Sequence, residues 1–173
     1  MTVRSEIRRA RPDESIAVAA LIEEAAAVYR GVIPSDCWHE PYMPLDELVR
    51  EVDDGVRFWV LEQSGRVVAV MGLQRVRDVA LIRHAYVLPA QQGRGHGSAL
   101  LARLRELTEQ PMLVGTWRAA VWAVRFYRHR GFSLLDPLDA GPLLRSYWSV
   151  PARQRKASVV LADARWTALH RGI

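Results

Sequence analysis

Hydrophobic and polar positions along the chain change period several times, and each change marks an element. Val3 to Arg9 reads as a short first strand. Pro12 and Asp13 then open a helix, proline suiting a first turn and aspartate its electropositive end. Val18, Leu21, Ala25 and Val28 fall three or four apart and predict one apolar face through Tyr29. Arg30 to Pro44 holds three prolines and Gly31, so a loop is expected, carrying Cys37, Trp38, His39, Tyr42 and Met43. Leu45, Leu48, Val49 and Val52 predict a second helix that stops near Gly55.

Three strands follow: Val56 to Gln63, Arg66 to Val76, and Ala80 to Leu88. The tight turns between them, at Ser64-Gly65 and near Asp78, make this an antiparallel meander. Pro89 ends the third strand, and a glycine-rich loop leads to a helix from about Gly97 to Glu109 with Leu100, Leu101, Leu104 and Leu107 on one side. Met112 to Thr116 reads as a strand and Ala119 to Arg130 as a helix with Gly131 as its left-handed stop. Phe132 to Leu135 is strand-like. Further on, Leu143 to Trp148 reads as helical, Pro151 interrupts, and Ala157 to Ala162 is a final strand. Nothing resembles a repeat, a low-complexity tract or a linker. A single α/β domain over residues 1–173 is expected, with 136–173 as its final strand and C-terminal extension.

Composition narrows the class. The 173 residues are 50% hydrophobic and 25% charged, enough to bury a core and too apolar for global disorder. No run approaches the roughly 20 apolar residues of a membrane span, so no membrane partner is expected. The basic start MTVRSEIRRARPDE has no apolar block behind it, which argues against a secretory signal. The single cysteine, Cys37, allows no internal disulfide and fits a cytoplasmic setting.

Charge is divided unevenly. Residues 1–60 hold 7 arginines against 12 acids, a balance of −5, while residues 61–173 balance at +10. Codon usage accounts for arginine over lysine, Lys156 being the single lysine. It does not account for the asymmetry, which points to an anionic ligand for the later part. Zinc-finger spacing, a basic heptad helix and an RNA-binding aromatic signature are missing, and basic residues never form a run of five. A small polyanion therefore ranks above nucleic acid.

One segment fits that ligand: Val87-Leu88-Pro89-Ala90-Gln91-Gln92-Gly93-Arg94-Gly95-His96-Gly97-Ser98, between a strand and a helix. Glycines at alternating positions let the backbone curl against a ligand. The following helix offers N–H groups and a positive dipole end, and Arg94 adds a fixed charge. Together these make a pyrophosphate cradle. A P-loop would need Gly-Lys-Ser/Thr, and a Rossmann unit would place the loop after the first strand of a parallel sheet; neither fits.

Two motifs in order resemble the GNAT superfamily of acyl-CoA-dependent N-acetyltransferases. Gln92-Gly93-Arg94-Gly95-His96-Gly97 is similar to the family's Gln/Arg-x-x-Gly-x-Gly/Ala. Phe126-Tyr127-Arg128-His129-Arg130-Gly131-Phe132 is similar to its Phe-Tyr-x-x-x-Gly-Phe. The resemblance covers roughly residues 3–135. It implies a mixed central sheet with an antiparallel meander, flanking helices, and strands splayed at the CoA site.

The resemblance also implies roles. Backbone amides from Gln92 to Gly97 would hold the CoA pyrophosphate, with Ser98 close by. Backbone groups of Ala85, Tyr86, Val87 and Leu88 would pair with the pantetheine arm. Tyr127 would sit near the sulfur and protonate the leaving thiolate. Acetyl-CoA is thus the implied acyl donor, with no metal, and the amine attacks it directly in a ternary complex, since Cys37 lies far in sequence from either motif. Family members with a base in the third meander strand carry it where this chain has Arg83 or Leu81, and neither can serve. His84 has a suitable intrinsic pKa, but strand alternation places it on the opposite face from Arg83 and Leu81. His39, Glu40, Asp36 or a water chain are alternatives. The family's frequent Asn at the start of the second motif's helix is Ala120 here, with Trp117 and Trp122 nearby.

In the family the first two helices and their loop line the acceptor. The acidic balance of that region suits a cationic amine of a small molecule. A protein lysine or N-terminus as acceptor, an acyl-CoA sensor without turnover, and a nucleic-acid-binding domain resting on charge alone are the competing readings. The last forty residues could complete the sheet in one chain or exchange with a neighbour's, and a homodimer is compatible because many members dimerise.

Overall fold

The computed structural model describes residues 4–171. Its strands are β1 (Ser5–Arg9), β2 (Arg57–Gln63), β3 (Arg66–Val76), β4 (Val79–Val87), β5 (Met112–Trp117), β6 (Ser133–Leu134) and β7 (Ser158–Ala162). Its helices are α1 (Ser15–Ala26), α2 (Leu45–Asp53), α3 (His96–Glu106), α4 (Val121–Arg128), α5 (Pro137–Tyr147), α6 (Ala152–Lys156) and α7 (Ala164–Leu169). The strands pair in the order β1-β2-β3-β4-β5-β7-β6, the mixed α/β architecture the sequence implied. Two compact units emerge from the contacts. One takes the chain through Val28, then His39–Arg75 and Ile82–Glu109; the other takes Tyr29–Trp38, Val76–Leu81 and the chain from Gln110 onward.

In the first unit β1 pairs antiparallel with β2, and β2 with β3. Val3, expected in the first strand, lies outside the described residues. Ser64 (φ 51°) and Gly65 (φ 79°) are both left-handed, the signature of the hairpin turn whose twist suits the strands. α1 buries Val18, Leu21, Ile22 and Ala25 as its spacing predicts. Val28 does not follow: a 3-10 turn over Ala27–Tyr29 tightens the period, turning Val28 outward and Tyr29 inward. Beneath the start of α1, Arg8 of β1 reaches Glu14 at 2.7 Å and Glu62 of β2 at 2.6 Å. Burial of this network leaves Glu14 10% exposed at its side chain, and the Arg8 hydrogen bond holds its carboxyl down at about 2. In α2 the apolar face is narrower than expected, since Leu48 is buried while Leu45 and Val49 are exposed.

In the second unit β7 lies between β5 and β6, antiparallel to both, so the final strand completes the sheet within its own chain. Around it pack Leu113, Ala140, Leu144, Trp148 and Trp166. A Cβ added to Gly115 of β5 would lie 3.2 Å from the Trp148 ring, so the glycine makes room for the indole. α5 begins six residues before the expected Leu143. Its start is set by Asp136, whose carboxylate accepts the Leu138 amide at 2.9 Å, and by Pro137 in the first turn. Gly141 and Pro142 inside the helix hid it. α7 was not anticipated either, although Asp163 caps it by accepting the Trp166 amide at 3.1 Å.

Candidate active site

The site begins where β4 loses its cover. Val79 to Ile82 are buried, whereas Arg83 to Val87 are half-buried. Ala85, Tyr86 and Val87 therefore lie on a partly open strand end. Leu88 does not share this role: its amide donates to Val68 at 2.9 Å, its carbonyl accepts the Gln91 amide at 2.8 Å, and its side chain is buried. The Gln92 side chain donates to the Val87 carbonyl at 3.3 Å, tying the loop back to the strand.

Two of the three glycines in the loop are left-handed. Gly93 has φ 74° and Gly95 has φ 82°, and Gly95 is the N-cap of α3, with no side-chain hydrogen bond capping that helix. Gly97 lies within the first turn of α3. A Cβ on Gly93 or Gly95 would meet open space, so the requirement is conformational and not steric crowding. Uncapped by any side chain, the positive end of α3 is suited to an anion, and Arg94 beside it is exposed with no partner among the described residues. Ser98 is half-buried in that first turn. The His96 side chain points away from this role: it is 9% exposed, and its Nε2 has no hydrogen-bond partner among the described residues. What the loop offers an anion is backbone.

The strand register expected around His84 is corrected. His84 has φ 50°, a left-handed residue inside β4, and this breaks the alternation as a bulge does. Arg83 and His84, which regular pleating would send to opposite faces, therefore reach the same carboxylate. Glu51 of α2 lies 2.7 Å from Arg83 Nη2 and 3.2 Å from His84 Nε2. Arg83 also donates to Gln74 Oε1 at 2.7 Å. Burial by itself would raise the Glu51 carboxyl, but His84 and Arg83 outweigh it and hold it below the ordinary value. Glu51 was missed in the sequence, where it is one acid among many on a helix. No local spacing links it to His84.

In the second unit, Tyr127 sits in the last turn of α4. Gly131 (φ 86°) closes that helix: the Gly131 amide donates to Arg128 and the Phe132 amide to Tyr127 at 3.1 Å, the paired bonds of a Schellman stop. This turn brings Phe132 edge-on to Tyr127 at 5.5 Å, with Phe126 at 5.0 Å on another side. The Phe-Tyr-x-x-x-Gly-Phe pattern is thus a helix stop that packs its own tyrosine. Tyr127 is 4% exposed, and burial followed by the neighbouring Tyr29 pushes its phenol upward, so it keeps its proton. Ala120 is the N-cap of α4, and Trp122 stacks on Tyr29 at 5.9 Å.

The other expected bases are poorly placed for that work. Asp36 is exposed and bound to Arg153 at 2.6 Å, which holds its carboxyl below its usual range. The exposed His39 has Nδ1 at 2.8 Å from the Pro41 carbonyl and stacks on Tyr42. Glu40 is exposed and Met43 is buried. Among the described residues no group of three His, Cys, Asp or Glu gathers as metal ligands, and no helix is long and apolar enough to cross a membrane.

A glycine-rich loop at a helix start, directly after a half-open strand of a mixed sheet, forms a backbone cradle suited to an anion. The Acetyltransferase (GNAT) domain model matches residues 54–134, from the end of α2 through β6. Over that stretch the chain is similar to the GNAT acetyltransferases, acyltransferases that use acetyl-CoA. Solved structures share the fold. The PaiA N-acetyltransferase of Thermoplasma acidophilum, in complex with coenzyme A, is 14% identical with a TM-score of 0.68, covering 92% of this chain and 98% of that one. A GNAT-family acetyltransferase of Staphylococcus aureus Mu50 is 15% identical with a TM-score of 0.70, over 92% and 98% of the two chains. The ribosomal-protein-S18-alanine N-acetyltransferase of Escherichia coli is 18% identical with a TM-score of 0.59, over 92% and 93%. No protein of curated function matches the chain by sequence.

Proposed function

We propose that this protein transfers the acetyl group of acetyl-CoA to a primary amine of a small cationic molecule, by direct attack in a ternary complex. The observation that carries the reading is the cradle: left-handed Gly93 and Gly95 ahead of an α3 start that no side chain caps, with Arg94 exposed beside it. Backbone amides of Gln92 to Gly97 would bind the pyrophosphate, and backbone groups of Ala85 to Val87 the pantetheine arm. The bound thioester supplies the activated acyl carbon. His84 takes a proton from the amine, leaving its lone pair free to form the new C–N bond. Tyr127, kept protonated by burial, gives its proton to the sulfur as the C–S bond breaks. The acidic balance of residues 1–60 favours a cationic acceptor.

A protein acceptor is the second reading, favoured by the fold shared with an enzyme named for a ribosomal-protein alanine. Calorimetry with coenzyme A and a thiol-release assay over small amines and lysine- or alanine-ended peptides test both. Turnover of small amines at least about tenfold faster in kcat/KM than of peptides is expected. Faster peptide turnover overturns the small-molecule assignment, and CoA binding with no turnover of any amine overturns the enzyme reading in favour of a sensor.

A further inference from the structure

The pairing of Glu51 with His84 goes a step beyond the proposed reaction. We propose that Glu51 is the positioning residue of the base: its carboxylate takes the Nε2–H of His84 and leaves Nδ1 as the nitrogen that receives the amine's proton. The inference rests on the assignment of His84 given above, and it deepens that assignment.

Geometry supplies the argument. The side chains of Glu51, His84 and Arg83 are 20%, 16% and 13% exposed, so the cluster is largely withdrawn from water. A carboxylate can only accept hydrogen bonds, so the ring nitrogen facing it must carry the hydrogen. At 3.2 Å the two atoms are in contact, but the imidazole is off the hydrogen-bond line, and neither atom has a well-aligned partner among the described residues. Such bonds commonly straighten when a substrate binds. Arg83 keeps Glu51 from turning away, with Nη2 at 2.8 Å from Oε1 and 2.7 Å from Oε2. Gln74 of β3 fixes Arg83 in turn. Arginine does not deprotonate, so Glu51 stays an anion. Phe58 of β2 lies against the imidazole, ring centres 5.9 Å apart.

The left-handed backbone at His84 is the second observation. A histidine with φ 50° inside a strand costs energy that regular pleating would avoid. Its effect is to put Arg83 and His84 on one carboxylate. A carboxylate that fixes the tautomer and orientation of an imidazole is a recurring device of proton transfer. The charged groups facing the imidazole are Glu51 of α2 and Arg83 of β4; Phe58 and, through Arg83, Gln74 are the neutral groups that β2 and β3 bring.

The test uses the full chain with Glu51→Gln, Glu51→Asp, His84→Gln and the double variant Glu51→Gln/His84→Gln. With the best amine acceptor, His84→Gln should lower kcat about 100-fold. Glu51→Gln should lower it about 10-fold, with KM for acetyl-CoA within about twofold. Glu51→Asp should recover most of that loss, and the double variant should be no slower than His84→Gln. Independently of turnover, the ring-nitrogen NMR shifts of His84 should report one tautomer, with the hydrogen on Nε2, in the wild type and a mixture in Glu51→Gln. If His84→Gln is slow but Glu51→Gln leaves both kcat and the His84 tautomer unchanged, the pairing is wrong while the base assignment stands; a Glu51→Gln loss explained by a lower melting temperature alone counts the same way. A raised KM for the amine with unchanged kcat would make Glu51 an acceptor contact and overturn the positioning role. If His84→Gln turns over like the wild type, it is the base assignment that fails.

Discussion

His84 Nε2 lies 3.2 Å from Glu51 Oε2, joining the half-open end of β4 to a helix far from it in sequence. The same carboxylate holds Arg83, the residue next to His84. Two neighbours in a strand share one partner because His84 is left-handed, and this places a titratable ring, an anion and a cation beside the strand that leads into the cradle.

Tyr127→Phe removes the hydroxyl and keeps the packing against Phe126 and Phe132. Thiol release should slow by roughly 10- to 100-fold while the calorimetric affinity for coenzyme A changes by less than about twofold. Equal kcat for the two proteins would take Tyr127 out of the mechanism.

Gly95→Ala puts a side chain on a residue at φ 82°. No atom blocks the new methyl, but the left-handed conformation costs about 1 to 2 kcal/mol, so the loop should relax out of its curl. Coenzyme A affinity should weaken at least about tenfold in calorimetry, with a smaller effect on thermal melting. Undiminished affinity would mean that the cradle does not hold the pyrophosphate.

Gly72→Ala tests the other approach to the site. A Cβ there would lie 2.8 Å from the Arg83 carbonyl oxygen and 2.9 Å from a Val56 methyl, so backbone must shift. A loss of about 1 to 3 kcal/mol is expected, seen as a fall of several degrees in melting temperature. A melting temperature matching the wild type would show that the two strands yield freely.

Acid stability should report on Glu14. Its carboxyl titrates at about 2 in the fold against an ordinary 4.5, so the unfolded chain binds more protons between those values. Stability from this group is complete above about 4.5 and drains away as pH falls toward 2, on the order of 2 kcal/mol in all. Urea unfolding of wild type and Glu14→Gln should show a gap that is widest near neutral pH and narrows below pH 5. A gap independent of pH would contradict the Arg8–Glu14 pairing.

Much of the frame can be read from local signals. β3 has the bounds its pattern predicts, the Ser64-Gly65 turn is where two turn residues interrupt alternation, and Gly131 stops α4 as a left-handed glycine should. The cradle was legible for the same reason, because glycine spacing and a helix start are written in consecutive residues. Where local rules compete, reading fails. Val28 leaves the core because α1 tightens into a 3-10 turn, and Pro142 and Gly141 masked a helix that Asp136 had already capped.

The sequence by itself determined the run of elements from β1 to β6, the left-handed glycine loop ahead of α3 and the glycine stop of α4, since each depends on residues within a turn or two of one another. The His84 cluster was decided by tertiary structure. Alternation predicted the wrong face, because a single left-handed residue inside the strand reversed it. Glu51 entered only when α2 packed beside β4, an encounter between distant segments that composition and periodicity cannot encode.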